Sequence, residues 1–246
     1  MDLKIGASTI ETPIKNLQVD QTLRTELLKN GDFSLMNRRT DEAEHSGEMQ
    51  YPFIAKVMYD VEISKTCSHV GESLSAATNV VKVLPIMIGS ISNAKEEKFG
   101  KVLAPFVSRP DIFTVVSSDF CHWGKRFGYF PKPPASNTNI CKRFTSSSGP
   151  LKQKIYQYIE YLDKMGMDHI TMQQPGAFAA YLKEYKNTIC GRHPIGVWLH
   201  AIKVNNDKGM ELYDLRFVKY AQSSQVLSDK DSSVSYASAV ANKIVQ

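Results

Sequence analysis

"VKVLPIMIGSISNAKEEKFGKVLAPFVSRPDIFTVVSS", residues 81–118, reads as strand, helix, strand. Its first ten residues are a near-continuous apolar run of the kind buried on both faces of a sheet, with Pro85 marking an irregularity. In the middle, Phe99, Val102, Leu103 and Phe106 recur at helical spacing; Asn93 and Glu96 are placed as a capping pair, and Pro110 lies just beyond the end. The last seven residues, "IFTVVSS", are β-branched and read as a second buried strand. Such a unit predicts a parallel strand pair with a right-handed crossover. The expected fold is therefore α/β, a central, mostly parallel sheet flanked by helices.

The rest of the chain adds helices and strands to that frame. Ile155, Tyr158, Ile159 and Leu162 form one apolar stripe, and Phe178, Tyr181, Leu182 and Tyr185 a second. A third helix is expected to begin at Pro194 and to carry Ile195, Trp198, Leu199 and Ile202. "LYDLRFVKY" (212–220) alternates like a half-buried strand, and "VSYASAV" (234–240) is a weaker strand candidate. Residues 131–150 are rich in Pro, Ser and Asn without a period, which predicts a surface loop inside one domain spanning 1–246.

Composition narrows the function classes. With 246 residues, 42% hydrophobic and 22% charged, the chain can bury a sizeable core. No apolar run approaches the roughly 18 residues of a membrane span, and the first residues lack a signal-peptide pattern, so a soluble, intracellular protein is expected. A net charge of +5 is spread out without a dense basic cluster, which argues against a nucleic-acid partner. Cys67, Cys121, Cys141 and Cys190 are too scattered for a disulfide framework and are expected as free thiols. No Gly-rich phosphate loop, G-x-S-x-G elbow or H-E-x-x-H motif is present.

Two polar clusters remain as site candidates. Asp119, Cys121 and His122 follow the "TVVSS" strand end, where the crevices of open α/β sheets lie. In extended chain Cys121 and His122 point to opposite sides, so His122 is expected to face the crevice and Cys121 the core. Asp119 is either a ligand or a cap for the next turn. In the second cluster, Cys190 and Arg192 precede a helix start; both the helix end and the arginine favour thiolate, making Cys190 a candidate metal ligand or redox-sensitive thiol. His193, before proline, is either part of that site or bonded to a backbone carbonyl. Glu44, His45 and Glu48 read either as a solvated helix face or as part of a site, and His69, His169 and His200 as structural or surface residues. Neither cluster has the paired cysteine spacing of a structural zinc site.

"VVSSDFCHWGKRFGY" (115–129), "LDKMGM" (162–167), "YKNTICGRHPIGV" (185–197), "DEAEHSGEM" (41–49), "YAQSSQ" (220–225) and "DSSVSYA" (231–237) together resemble the Memo family, mediators of ErbB-driven cell motility. The resemblance implies a fold related to the class III non-haem iron dioxygenases of the LigB type. It also implies a modified pocket, described both as a phosphotyrosine-peptide site and as a copper or iron site with redox activity. Carried onto this chain, Cys190 matches the family's metal-binding cysteine, and Asp119 and His122 match the acid and histidine of the same pocket. His122, Cys190, Arg192 and His193 are the residues expected to meet a peptide. The family's two other pocket histidines belong to motifs like "PHAGY" and "GPSHH", and neither string occurs here. The expectation is thus a family member lacking its N-terminal strands, acting as a cytoplasmic or nuclear signalling adaptor linked to motility or invasive growth. The alternative is a copper- or iron-dependent redox enzyme using the same pocket.

Overall fold

The computed structural model describes residues 2–3, 7–58, 81–133, 154–209 and 212–244. Cys67, His69 and Cys141, and positions 134–150 of the expected loop, lie outside them. The chain divides into two compact units, Met1–Ser90 and Ile91–Gln246.

The first unit is a mixed assembly of short strands and helices. Strand β1 (Asp2–Leu3) runs between β4 (Ser34–Leu35), parallel to it, and β6 (Ile86–Met87), antiparallel. Strand β3 (Leu17–Val19) similarly lies between β2 (Thr9–Ile10), antiparallel, and β5 (Lys82–Val83), parallel. The alternation in β3 puts Leu17 and Val19 inside, where they meet Ile10, Tyr51 and Ala55. Helix α1 (Gln21–Lys29) starts where the Asp20 carboxylate accepts the Leu23 N–H at 2.9 Å. Asn37 caps α2 (Arg38–Ala43) in the same way through the Thr40 N–H. Glu44 ends that helix and accepts the Gly47 N–H, and residues 46–50 form a turn, so Glu44, His45 and Glu48 do not share a helix face. Helix α3 follows at 51–58.

The second unit holds the larger core. It contains α4 (Asn93–Val107), β7 (His122–Trp123), α5 (Ile155–Thr171), α6 (Pro175–Tyr185), α7 (Arg192–Asp207), β8 (Leu212–Gln222) and β9 (Ser233–Ile244). Strands β8 and β9 form a long antiparallel hairpin with a bulge that leaves Val218 outside, and β7 pairs antiparallel with the start of β9. The stripes read from the sequence meet here: Phe178 and Tyr181 of α6, Leu199 and Ile202 of α7, and Tyr213 and Leu215 of β8 share one core.

Helices α4 and α7 pack closely and run parallel. Their contacts advance together, from Glu96 against His193 and Gly196, through Gly100 against Ala201, to Ala104, whose carbonyl accepts the buried Asn205 amide at 3.0 Å. A side chain at Gly100 would bring a Cβ to 3.0 Å from the Ala201 nitrogen, which is why glycine sits at the crossing.

Four expectations for residues 81–118 change. The initial apolar run forms β5 and β6, two-residue strands in separate sheets with Leu84 and Pro85 between them, where the proline has no N–H to extend a ladder. The segment 112–118 forms no strand, and Phe113 is 80% exposed. β-Branched composition supplies propensity but not a partner; ordered pairing starts only at Phe120, whose N–H donates to the Ser235 carbonyl. The fold is mixed α/β with small sheets, and the expected parallel pair is replaced by antiparallel pairing along β9. Glu96, finally, does not cap α4: Ser92 does, and Glu96 is buried against His193. Helix α7 begins at Arg192, two residues before Pro194, which still lies in the first turn where a missing N–H costs nothing.

Candidate functional site

Two segments distant in sequence, 118–122 and 187–191, are zipped together through side chains rather than a strand ladder. Ser118 Oγ accepts the Gly191 N–H at 2.9 Å. Cys190 Sγ accepts the Asp119 N–H at 3.0 Å. Thr188 Oγ1 accepts the His122 N–H at 2.8 Å and donates to the His122 carbonyl at 2.9 Å. The paired numbers fall on one side as they rise on the other, so the segments run antiparallel. Gly191 is required by this approach, since a Cβ there would meet the Ser117 carbonyl oxygen at 2.5 Å.

This zip places Asp119, His122 and Cys190 side by side. Cys121 is fully buried among Trp123, Ile159 and Val226, while His122 is partly exposed, the in-and-out alternation expected of extended chain. Burial is the first cause that pushes the Cys121 thiol up, with the nearby Asp163 charge the second, so that thiol stays protonated. Cys190 is exposed at the surface, and neither Cys121 nor Cys190 is in a disulfide.

His122 is held in a defined orientation. Its Nδ1 lies 2.9 Å from the Phe120 carbonyl oxygen and 3.0 Å from that of Thr188. Two carbonyl acceptors require Nδ1 to carry the proton, which leaves Nε2 as the outward nitrogen, 3.8 Å from Asp119 Oδ2. The edge of Phe127 meets the imidazole ring, with centroids 5.2 Å apart, and the Arg126 guanidinium lies over Phe127 at 4.4 Å.

Arg192 and His193 are placed differently. Arg192 donates from Nη1 to the Ile189 carbonyl at 3.4 Å and stays partly exposed beside Cys190. His193 engages Glu96 through Nδ1 at 2.6 Å, and its buried Nε2 has no hydrogen-bond partner among the described residues. It thus ties α7 to α4 instead of bonding a backbone carbonyl.

Behind the zip is an acid that the sequence reading did not single out. Asp163 is 0% exposed; its Oδ1 accepts the Cys121 N–H at 3.2 Å and the Asn187 amide at 2.8 Å, and its Oδ2 accepts the Tyr220 hydroxyl at 2.8 Å. Burial raises its pKa, against the lowering effect of hydrogen bonds from Ser235, Asn187, Tyr220 and the Cys121 amide. A signal was present: Asp163 lies one turn after Ile159 on the apolar stripe of α5, where an acid needs buried partners.

An imidazole with Nδ1–H on carbonyls and Nε2 outward is the orientation of many metal ligands. Yet among the described residues no group of three or more His, Cys, Asp or Glu side chains lies where it could hold a metal ion. The described residues alone do not fit a copper or iron centre. No helix among them is long and apolar enough to cross a membrane.

Comparison with known proteins matches residues 3–240 to the model of a family described as Memo-like protein. The rat and human proteins named MEMO1 are each 43% identical over 226 residues, covering 92% of this chain and 65% of their own length. A Caenorhabditis elegans protein named memo-1 homolog is 37% identical over 233 residues, covering 95% of this chain and 57% of its own. The chain therefore spans just under two thirds of the length of its rat and human relatives.

Proposed function

We propose a function from one premise, that this chain belongs to the Memo family. On that premise it is a signalling or adaptor protein in cell motility, acting in the cytoplasm or nucleus. Its crevice beside 118–122 and 188–192 receives the phosphotyrosine of a partner peptide. The observation that carries the reading is the orientation of His122. With Nδ1 committed to the Phe120 and Thr188 carbonyls, a protonated Nε2 is a fixed donor toward an incoming phosphate oxygen.

Neighbouring groups support an anion at the same place. Arg192 uses one N–H on the Ile189 carbonyl and has further donors in its planar fork. It also opens a 16-residue helix that has no side-chain cap, so the positive end of that helix lies beside Cys190. The pocket is read as a modified form of the class III dioxygenase site.

Calorimetry with a tyrosine peptide in phosphorylated and unphosphorylated forms tests the proposal. Binding of the phosphorylated form, tighter by about tenfold or more, is expected for even one charge-assisted hydrogen bond to the phosphate. Equal affinity for both forms would overturn it.

A further inference from the structure

We infer that Asp163 and Asn187 are the positioning pair of the crevice, the buried contact that holds the His122 wall against the Cys190 wall. The inference rests on the proposed use of that crevice for its meaning, but its geometry stands on separate observations. Asp163 belongs to α5, outside both walls, and its Oδ1 receives one donor from each. The Cys121 N–H comes from the wall carrying Asp119 and His122; the Asn187 amide comes from the wall carrying Thr188 and Cys190.

A single buried acceptor shared by two segments fixes their separation more firmly than the surface bonds in front of it. The Ser118, Asp119 and His122 contacts in the zip are partly open to water, which can replace them. Asp163 is inaccessible, so neither donor can exchange it for solvent without opening the core. Asn187 is itself buried, and the same amide nitrogen donates to the Tyr181 hydroxyl at 2.7 Å, which in turn donates to the Leu162 carbonyl at 2.7 Å. The Asn187 wall is thereby tied to α5 and α6 together.

The other oxygen of Asp163 gives an internal control. Oδ2 accepts from the hydroxyl of Tyr220 on β8, a residue that belongs to neither wall. Removing the Tyr220 hydroxyl disturbs the same buried network and the same carboxylate, while leaving both wall contacts on Oδ1 in place. A residue that only stabilises the fold would respond alike to loss of either side.

The experiment reads the exposed Cys190 thiol, whose sulfur is held on the Asp119 N–H. Alkylation of residues 1–246 by iodoacetamide is followed at Cys190 by peptide mass spectrometry, on protein shown to be folded by circular dichroism. With Asn187→Ala, or Asn187→Ser should the first not fold, the rate should rise about fivefold, the factor equivalent to one lost hydrogen bond of about 1 kcal/mol. With Tyr220→Phe it should stay within about twofold of the unmodified chain. Asp163→Asn, which retains an Oδ1 acceptor, should behave like Tyr220→Phe. The inference is overturned if Asn187 replacement leaves the rate unchanged, or if Tyr220→Phe moves it as far. A parallel titration with the phosphotyrosine peptide separates the two ideas. Absence of binding by the unmodified chain removes the proposed function, whereas the alkylation rates still decide the role of Asp163 and Asn187.

Discussion

Nδ1 of His193 lies 2.6 Å from Oε1 of Glu96, across 97 positions of sequence, and both side chains are largely buried. The pair joins the first turns of two parallel helices, one of which opens immediately after Cys190. Gly196 makes room for it, since a Cβ there would meet Glu96 Oε2 at 2.5 Å. Replacing Glu96 with Ala strands a buried imidazole whose other nitrogen has no partner among the described residues. The expected loss is about 1–3 kcal/mol in urea unfolding, the cost of leaving a buried polar group unsatisfied. A loss below about 0.5 kcal/mol, the range of ordinary surface changes, would show that the pair is not a structural tie.

Gly191→Ala tests the close approach of the two walls. The added methyl would run into the Ser117 carbonyl, so the segments must separate or the backbone must shift. Destabilisation of about 1–3 kcal/mol is expected, typical of overpacking, with faster alkylation of Cys190. An unchanged melting curve together with an unchanged alkylation rate would contradict the zip.

Asp163 gives a pH dependence with a defined sign. Burial, the dominant cause, raises its pKa in the folded chain, despite the hydrogen bonds it accepts from Ser235, Asn187, Tyr220 and the Cys121 amide. The titratable groups that act on it are the Tyr129, Tyr181 and Tyr220 phenols and the Cys121 thiol, and burial pushes all four up as well. Above the ordinary aspartate pKa of about 4, the unfolded chain has lost this proton while the folded chain still holds it. Fewer protons are then bound in the unfolded state, and stability from this group falls as pH rises toward the folded pKa. Measured by urea unfolding at a series of pH values, the unmodified chain should lose stability relative to Asp163→Asn as pH increases from about 4. Parallel curves for the two proteins would mean the carboxyl titrates normally.

Leu199→Ala probes the main core. Leu199 is fully buried beside Ile202 and Phe178, so truncation should cost about 2–5 kcal/mol in chemical unfolding. A cost under about 1 kcal/mol would place the residue outside the well-packed core.

Much of this arrangement is legible in the sequence where neighbours along the chain determine it. The stripes of α5, α6 and α7 and the alternation of 212–220 concern periods of a few residues, and each became an element with the expected face inside. The opposite facing of Cys121 and His122 follows from the same local geometry. What stayed hidden depends on partners far away. "IFTVVSS" has the composition of a strand, but composition does not name a neighbour, and the ladder on β9 belongs to residues 120–123 instead. Glu96 sits where a capping acid would, yet its partner is His193. Asp163 has no partner close to it in sequence that marks its role; only the fold brings it the Cys121 amide 42 positions away and Asn187 24 positions away.

The fixed His122 is the centre of the functional account, and isothermal calorimetry with a phosphotyrosine peptide on the unmodified chain and on His122→Ala measures it most directly. The account predicts about tenfold or greater weakening in the variant, equivalent to about 1.4 kcal/mol, with circular dichroism showing the fold retained. Unchanged affinity for the phosphorylated peptide in a folded His122→Ala protein would contradict it.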